Sequence, residues 1–282
     1  MSFDNIHSRL STTNSFQCAA SIADGCAACS SSSLCWSAGI AVDDKRWYDN
    51  LKFTRRRIQR GDVLYRMGDR FESIYAVRSG FFKTRVVLED GRDHVTSFRM
   101  NGEILGFDGI GTQTYTCDAI ALEDGEICII PYQRLMYLAS KVQSLSLELN
   151  RMMSREIVRE QQIMALLGSM QADKRVVTFL LDLSMRFNER QYSATHFILR
   201  MTREEIGKYL GLTLETVSRV LGRLQKAKLI GIEHSKEITL LDVDRLKALS
   251  KSESDPLLVA NNLAVSMAFR RQPRGPKLAH AC

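Results

Sequence analysis

From Pro131 to about Gly168 the chain keeps a helical apolar period with no glycine or proline to end it. That is too long for an ordinary helix inside a small domain, and it divides the chain into what comes before it and what comes after. Leu149, Met153, Ile157, Met164 and Leu167 recur at heptad-like steps along it, which predicts a coiled-coil seam. Glu160 takes the remaining seam position. It is either a solvent-facing acid on a core helix or, in a homodimer, the neighbour of its own symmetry mate. Like charges so placed weaken association, and a dimer built this way is poised near dissociation.

Before the helix, from about Lys52, short β-favouring runs alternate with turn residues. Asp62–Tyr65, Ser73–Val77 and Phe81–Val87 are such runs, with glycines between them at 61, 68, 80, 91, 102, 106, 109, 111 and 125. Turns so frequent predict a compact all-β roll or barrel, and Asp90-Gly91 predicts a hairpin. After the helix, Thr202–Leu210, Gly211-Leu-Thr213 and Leu214–Lys226 read as helix, tight turn, helix, with Thr213 as N-cap of the second. Val217, Val220, Leu221 and Leu224 give that second helix an apolar face. Glu215, Ser218, Arg219 and Gly222 give it a separate polar stripe.

A helix laid in the major groove needs that division, with one face anchored and the other reaching base edges. Arg219 suits guanine O6 and N7, Glu215 suits cytosine N4, and Ser218 suits a base or phosphate. Thr213, Thr216 and Arg223 complete the candidate DNA contacts. The plainer alternative is that Glu215 and Arg219 pair with each other at i, i+4 on a solvated face. Leu229–Ile232 and Glu237–Leu240 flank His234–Lys236 in the outline of a β-wing.

Residues 1–50 show no regular period and carry Cys26-x2-Cys29-x5-Cys35 in a Ser/Ala-rich stretch. Thiolates at such intervals can converge on one soft metal centre, zinc or iron–sulfur, and this stretch offers no core for them to pack into. The polar start Met1–Leu10 and the lack of any run near the roughly 18 apolar residues of a membrane span predict a cytoplasmic protein without a membrane partner. There, seven cysteines suggest chemistry more than crosslinks. A net charge of +7 permits a polyanionic partner, although Lys251, Arg270, Arg271, Arg274 and Lys277 place part of it in the tail. No nucleotide-binding loop or catalytic triad is visible, which argues against an enzyme.

Four runs carry a joint resemblance: Cys26-Ala-Ala-Cys29-Ser-Ser-Ser-Ser-Leu-Cys35, Ile74-Tyr-Ala-Val-Arg-Ser-Gly80, Gly106-Phe-Asp-Gly-Ile-Gly111 and Leu212-Thr-Leu-Glu-Thr-Val-Ser-Arg-Val-Leu-Gly-Arg223. With the order of the parts, they resemble the Crp/Fnr superfamily of bacterial transcription regulators, nearest to its fumarate and nitrate reduction branch. The resemblance, which covers roughly residues 25–249, implies an α+β chain with an arm (1–50), a cyclic-nucleotide-binding-like β-roll (51–136), a dimerisation helix (137–170) and a winged helix-turn-helix (171–249); the basic tail (250–282) lies outside it. It implies an oxygen-sensing [4Fe–4S] cluster on Cys26, Cys29, Cys35 and a β-roll cysteine. Ala121-Leu-Glu123 followed by Cys128-Ile-Ile-Pro131 matches the family's pattern, so that cysteine is Cys128, with Cys117 a buried small residue.

The resemblance further implies that Glu215, Ser218 and Arg219 read palindromes like TTGAT-N4-ATCAA in double-stranded DNA, and that the Asp90-Gly91 hairpin touches RNA polymerase. In place of the family's acidic pattern there, this chain has Arg92 and Asp93. Cyclic nucleotide binding is not expected. Gly102-Glu103 is present, but Thr116-Cys117-Asp118 stands where an Arg-Ser pair would hold the phosphate, leaving an Asp without a fixed cation. A zinc-bound or cofactor-free regulator of the same architecture is the alternative.

Overall fold

A computed structural model of the chain describes residues 54–251. Eight strands come first: β1 (Thr54–Ile58), β2 (Val63–Tyr65), β3 (Ser73–Ser79), β4 (Phe81–Val87), β5 (Asp93–Met100), β6 (Ile104–Leu105), β7 (Asp118–Ala121) and β8 (Gly125–Pro131). They form two antiparallel four-stranded sheets, ordered β1-β8-β3-β6 and β2-β7-β4-β5. Ile74, Phe82, Ile127 and Ile130 fill the space between them. Asp90-Gly91 turns the β4–β5 hairpin with Gly91 at φ 80°, a conformation that favours glycine.

The helical stretch is not continuous. α1 (Tyr132–Ala139) stops, and Val142 takes an extended conformation before α2 (Gln143–Ser169) begins. Leu138, Ala139, Val142 and Leu145 are all buried in the roll's core. The break lets the chain press four apolar residues into the roll where a straight helix would carry some of them past it. No local sequence signal marks this, because packing decides it.

α3 (Ala172–Glu189), β9 (His196–Ile198), α4 (Arg203–Leu210), α5 (Leu214–Lys226), β10 (Ile230–Glu233), β11 (Glu237–Leu240) and α6 (Val243–Ser250) follow. The wing sheet runs β10-β11-β9, so the predicted hairpin gains a third strand. The second core crosses between the two halves of the chain. Phe81, Val95, Phe98 and Met100 of the roll pack with Phe179, Leu183, Ile206 and Tyr209. The sheet face behind β5 is therefore covered by α3 and α4.

One expectation about the roll is corrected. Asp118 does have a fixed cation, since Arg85 Nε lies 3.1 Å from its carboxylate. Glu103 turns away from the roll interior toward arginines of α2 and α3. Among the described residues no helix is long and apolar enough to cross a membrane.

Candidate nucleic-acid interface

Backbone chemistry sets the angle between α4 and α5. Thr202 and Glu205 close a capping box at the start of α4, each side chain taking the other's backbone N–H. Gly211 ends α4 at φ 62°, in the left-handed region that L-residues other than Asn and Asp rarely adopt. Thr213 Oγ1 then accepts the Thr216 N–H at 3.2 Å and starts α5. A residue not singled out from the sequence governs the turn as well. A Cβ on Gly207 would lie 2.6 Å from the Leu212 carbonyl oxygen. Gly207→Ala is therefore expected to cost about 1–3 kcal/mol, read as a lower thermal midpoint. Gly222→Ala, whose Cβ would meet nothing within 4 Å, should gain up to about 1 kcal/mol from helix propensity.

Val217, Val220, Leu221 and Leu224 are all buried, as the apolar face requires. Glu215 and Arg219 are exposed on the opposite side, with Thr216, Ser218 and Gly222 half-buried beside them. No ion pair joins Glu215 to Arg219 among the described residues, so both charged ends are available to a ligand. A bond to its own backbone N–H, then the Thr213 hydroxyl, hold the Glu215 carboxyl below its usual range. It is thus an acceptor at neutral pH. Ser218 Oγ accepts from Arg203 Nη1 at 3.3 Å, which brings a second guanidinium to the stripe. Arg223 behaves differently: it pairs with Asp173 on α3, an exposed bridge with which a phosphate would compete.

The predicted seam residues divide three ways. Leu149 is buried in the roll's core, and Leu167 packs on the C-terminal core. Met153 is half-buried, whereas Ile157 and Met164 are 59% and 63% exposed, with exposed Glu160 between them. Dehydration pushes the Glu160 carboxyl up, against the pull of Arg99 and Arg159.

Cys26, Cys29 and Cys35 lie outside the described residues. The two β-roll thiols differ in what they can ligate. Cys117 is buried, with Asp108 Oδ2 3.5 Å away; burial first and that acid second push its thiol well up, which disfavours thiolate. Cys128 is half-buried on β8 and registered opposite Arg55 of β1. Thr54 and Arg55, the first residues of β1, register with Ile129 and Cys128, which puts Cys128 beside the N-terminal end of β1, the strand that follows the arm in sequence. Cys35 is 19 positions before Thr54, a length that reaches up to about 65 Å when extended. A soft, half-accessible sulfur at that position fits an iron–sulfur or zinc centre shared with the arm, and Cys117 does not.

A model of the Crp-like helix-turn-helix domain matches residues 174–249, and one of the cyclic nucleotide-binding domain matches residues 55–141. The transcriptional activator protein anr of Pseudomonas aeruginosa is 43% identical over 225 residues, covering 80% of this chain and 92% of that one. The fumarate and nitrate reduction regulatory protein of Salmonella typhimurium is 39% identical over 225 residues, covering 80% and 90%. Among solved structures, FixK2 from Bradyrhizobium japonicum superposes with a TM-score of 0.67 at 29% identity, over 72% of this chain and 99% of that one. A β-roll, a long helix and a winged helix-turn-helix in this order, with relatives this similar over most of their length, show that the chain belongs to the Crp/Fnr family of DNA-binding transcription regulators.

Proposed function

We propose that this regulator serves the anaerobic response and that oxygen controls it through a [4Fe–4S] cluster on Cys26, Cys29, Cys35 and Cys128. The relatives' names support the anaerobic part, among them fumarate and nitrate reduction and an anaerobic regulatory protein. The observation that carries the cluster is the placement of Cys128, a half-buried thiol opposite the start of β1. When bound, such a cluster supplies an oxygen-labile tie between arm and roll. Cys128 is followed within β8 by Pro131, then by α1 and α2, so a pull on β8 is felt at the start of the long helix.

On α2, Ile157 and Met164 offer apolar surface to a second copy, while Glu160 opposes it. A symmetric dimer would present two α5 stripes to palindromic DNA such as TTGAT-N4-ATCAA, with half-sites about one helical turn apart. Removing the repulsion should favour the dimer: Glu160→Ala is expected to sediment as a dimer and bind the palindrome in air. A Glu160→Ala protein that stays monomeric in air contradicts the repulsion account.

Cyclic nucleotide does not control the roll in this reading. Tyr65 stacks on Tyr115 at 3.9 Å and on Tyr75 at 5.6 Å, filling its interior. Arg85 is engaged by Asp118 at 3.1 Å and Asp93 at 3.7 Å. RNA polymerase contact through the β4–β5 hairpin remains part of the proposal with a narrower surface, because Asp93 is taken by Lys208 at 2.6 Å. Iron and zinc contents of the anaerobic protein separate the cluster from a structural zinc site.

A further inference from the structure

Glu103 lies in the turn between β5 and β6, where arginines from two helices converge on its carboxylate. Oε1 accepts from Arg186 Nε and Nη2 at 3.1 and 3.0 Å and from Arg190 Nη2 at 2.8 Å. Oε2 accepts from Arg186 Nη2 at 2.8 Å and the Met100 N–H at 3.2 Å, with Arg159 Nη1 of α2 at 3.6 Å. Arg186 of α3 and Arg190, the residue that caps its C-terminus, also grip the roll's backbone, Arg186 at the Phe98 carbonyl (2.8 Å) and Arg190 at that of Asn101 (2.7 Å). Their side chains are only 7% and 6% exposed. Burial opposes the charge on Glu103, but Arg186, Arg159, Arg190 and Arg99 outweigh it and hold the carboxyl well below its usual range.

The network extends in both directions from this carboxylate. Toward the seam, Arg99 Nη2 pairs with Glu156 of α2 at 2.5 Å, one helical turn from Glu160. Arg99 Nη1 and Arg159 Nη2 are buried with no acceptor among the described residues. Toward the DNA side, α3 carries the helix-turn-helix with it. Arg175 donates to the Leu210 carbonyl at the end of α4 (3.0 Å) and to that of Leu167 at the end of α2 (2.6 Å). The Glu103 carboxylate is thus the charged centre of the contact between α3 and the roll, beside the apolar packing of Phe98 on Phe179. Loss of that carboxylate leaves buried guanidiniums without their counter-charge, a one-sided break that is strongly unfavourable.

We propose that Glu103 is a positioning residue for DNA recognition, holding α3 to the roll and passing the state of the α2 seam to α5. The proposal rests on the reading that α2 forms the dimer seam and α5 meets the DNA. Anaerobic Glu103→Gln protein should dimerise like the parent yet bind a TTGAT-N4-ATCAA duplex about 10-fold or more weakly. The distance between a fluorescent amino acid at Met67 and one at His234, measured without DNA, should broaden. Arg200→Ala, which removes the more exposed interdomain bridge to Glu123, should change affinity less than about twofold.

Arg190→Gln, which leaves Arg186 on Glu103, should show the same pattern more weakly and serves if Glu103→Gln does not fold. Parent-like affinity and an unbroadened distance in these variants overturn the proposal. So does loss of dimer and DNA binding in parallel, which marks a merely structural role. The distance measurement needs no DNA, so a parent that fails to bind the palindrome counts against the DNA reading alone.

Discussion

Cys128→Ser should purify without air as a folded, colourless protein, lacking iron and sulfide and without affinity for the palindrome. A serine hydroxyl is a hard donor that does not replace a thiolate on iron. The change falls at a half-buried position of β8, packed against the roll's core, where a serine is close to isosteric. Cys117→Ser is the matched control. Its side chain is buried beside Asp108, whose carboxylate can accept from the new hydroxyl as it does from the thiol. It should retain iron and DNA binding and lose at most about 1 kcal/mol of stability. Iron, sulfide and DNA affinity measured on both proteins decide between the two thiols. Iron retained in Cys128→Ser and lost in Cys117→Ser would reverse the assignment.

Arg219→Ala should abolish sequence discrimination while sparing the dimer and the fold. Arg219 is exposed on α5, and among the described residues it has no ion-pair partner, so its removal leaves no buried group unsatisfied. A bidentate arginine–guanine contact supplies about 1–3 kcal/mol of discrimination, and a symmetric dimer loses it at both half-sites. Affinity for the palindrome should then approach that for random duplex, most sharply at the guanine of TTGAT. Arg223→Ala should act differently. It frees Asp173 and removes at most one phosphate contact per half-site, which weakens binding to all sequences alike and flattens the salt dependence. Titration of both variants against matched and guanine-substituted duplexes separates the two roles. Undiminished discrimination by Arg219→Ala would remove this residue from the reading set.

What the sequence disclosed is whatever local chemistry dictates. Thr213 caps α5 and Gly211 turns the chain because an N-cap hydroxyl and a left-handed glycine act over a few residues. Three strands of the roll, β2, β3 and β4, were legible from β-favouring runs between turn residues, and the apolar face of α5 from its period. The break at Ser140–Val142 was not, because it exists to bury Val142 and Leu145 against a roll built from residues far upstream. The partners of Glu103 were not legible for the same reason. A Gly-Glu pair in a β-roll resembles a nucleotide contact, and its actual partners, Arg186 and Arg190, come more than 80 residues later. Gly207 left no trace either, since the clash it avoids is with Leu212 across a turn only the fold creates. The three arm cysteines lie outside the described residues, so the cluster rests on their spacing, on Cys128 and on the resemblance.

Purification without air, followed by controlled admission of oxygen while absorbance near 400 nm and anisotropy of a labelled TTGAT-N4-ATCAA duplex are recorded together, tests the central claim most directly. The account predicts a brown protein with close to four iron and four sulfide per chain, whose colour, dimer and DNA affinity are lost together within minutes. A colourless protein, or one that binds the duplex equally before and after air, would contradict oxygen control and leave the family's DNA binding in place.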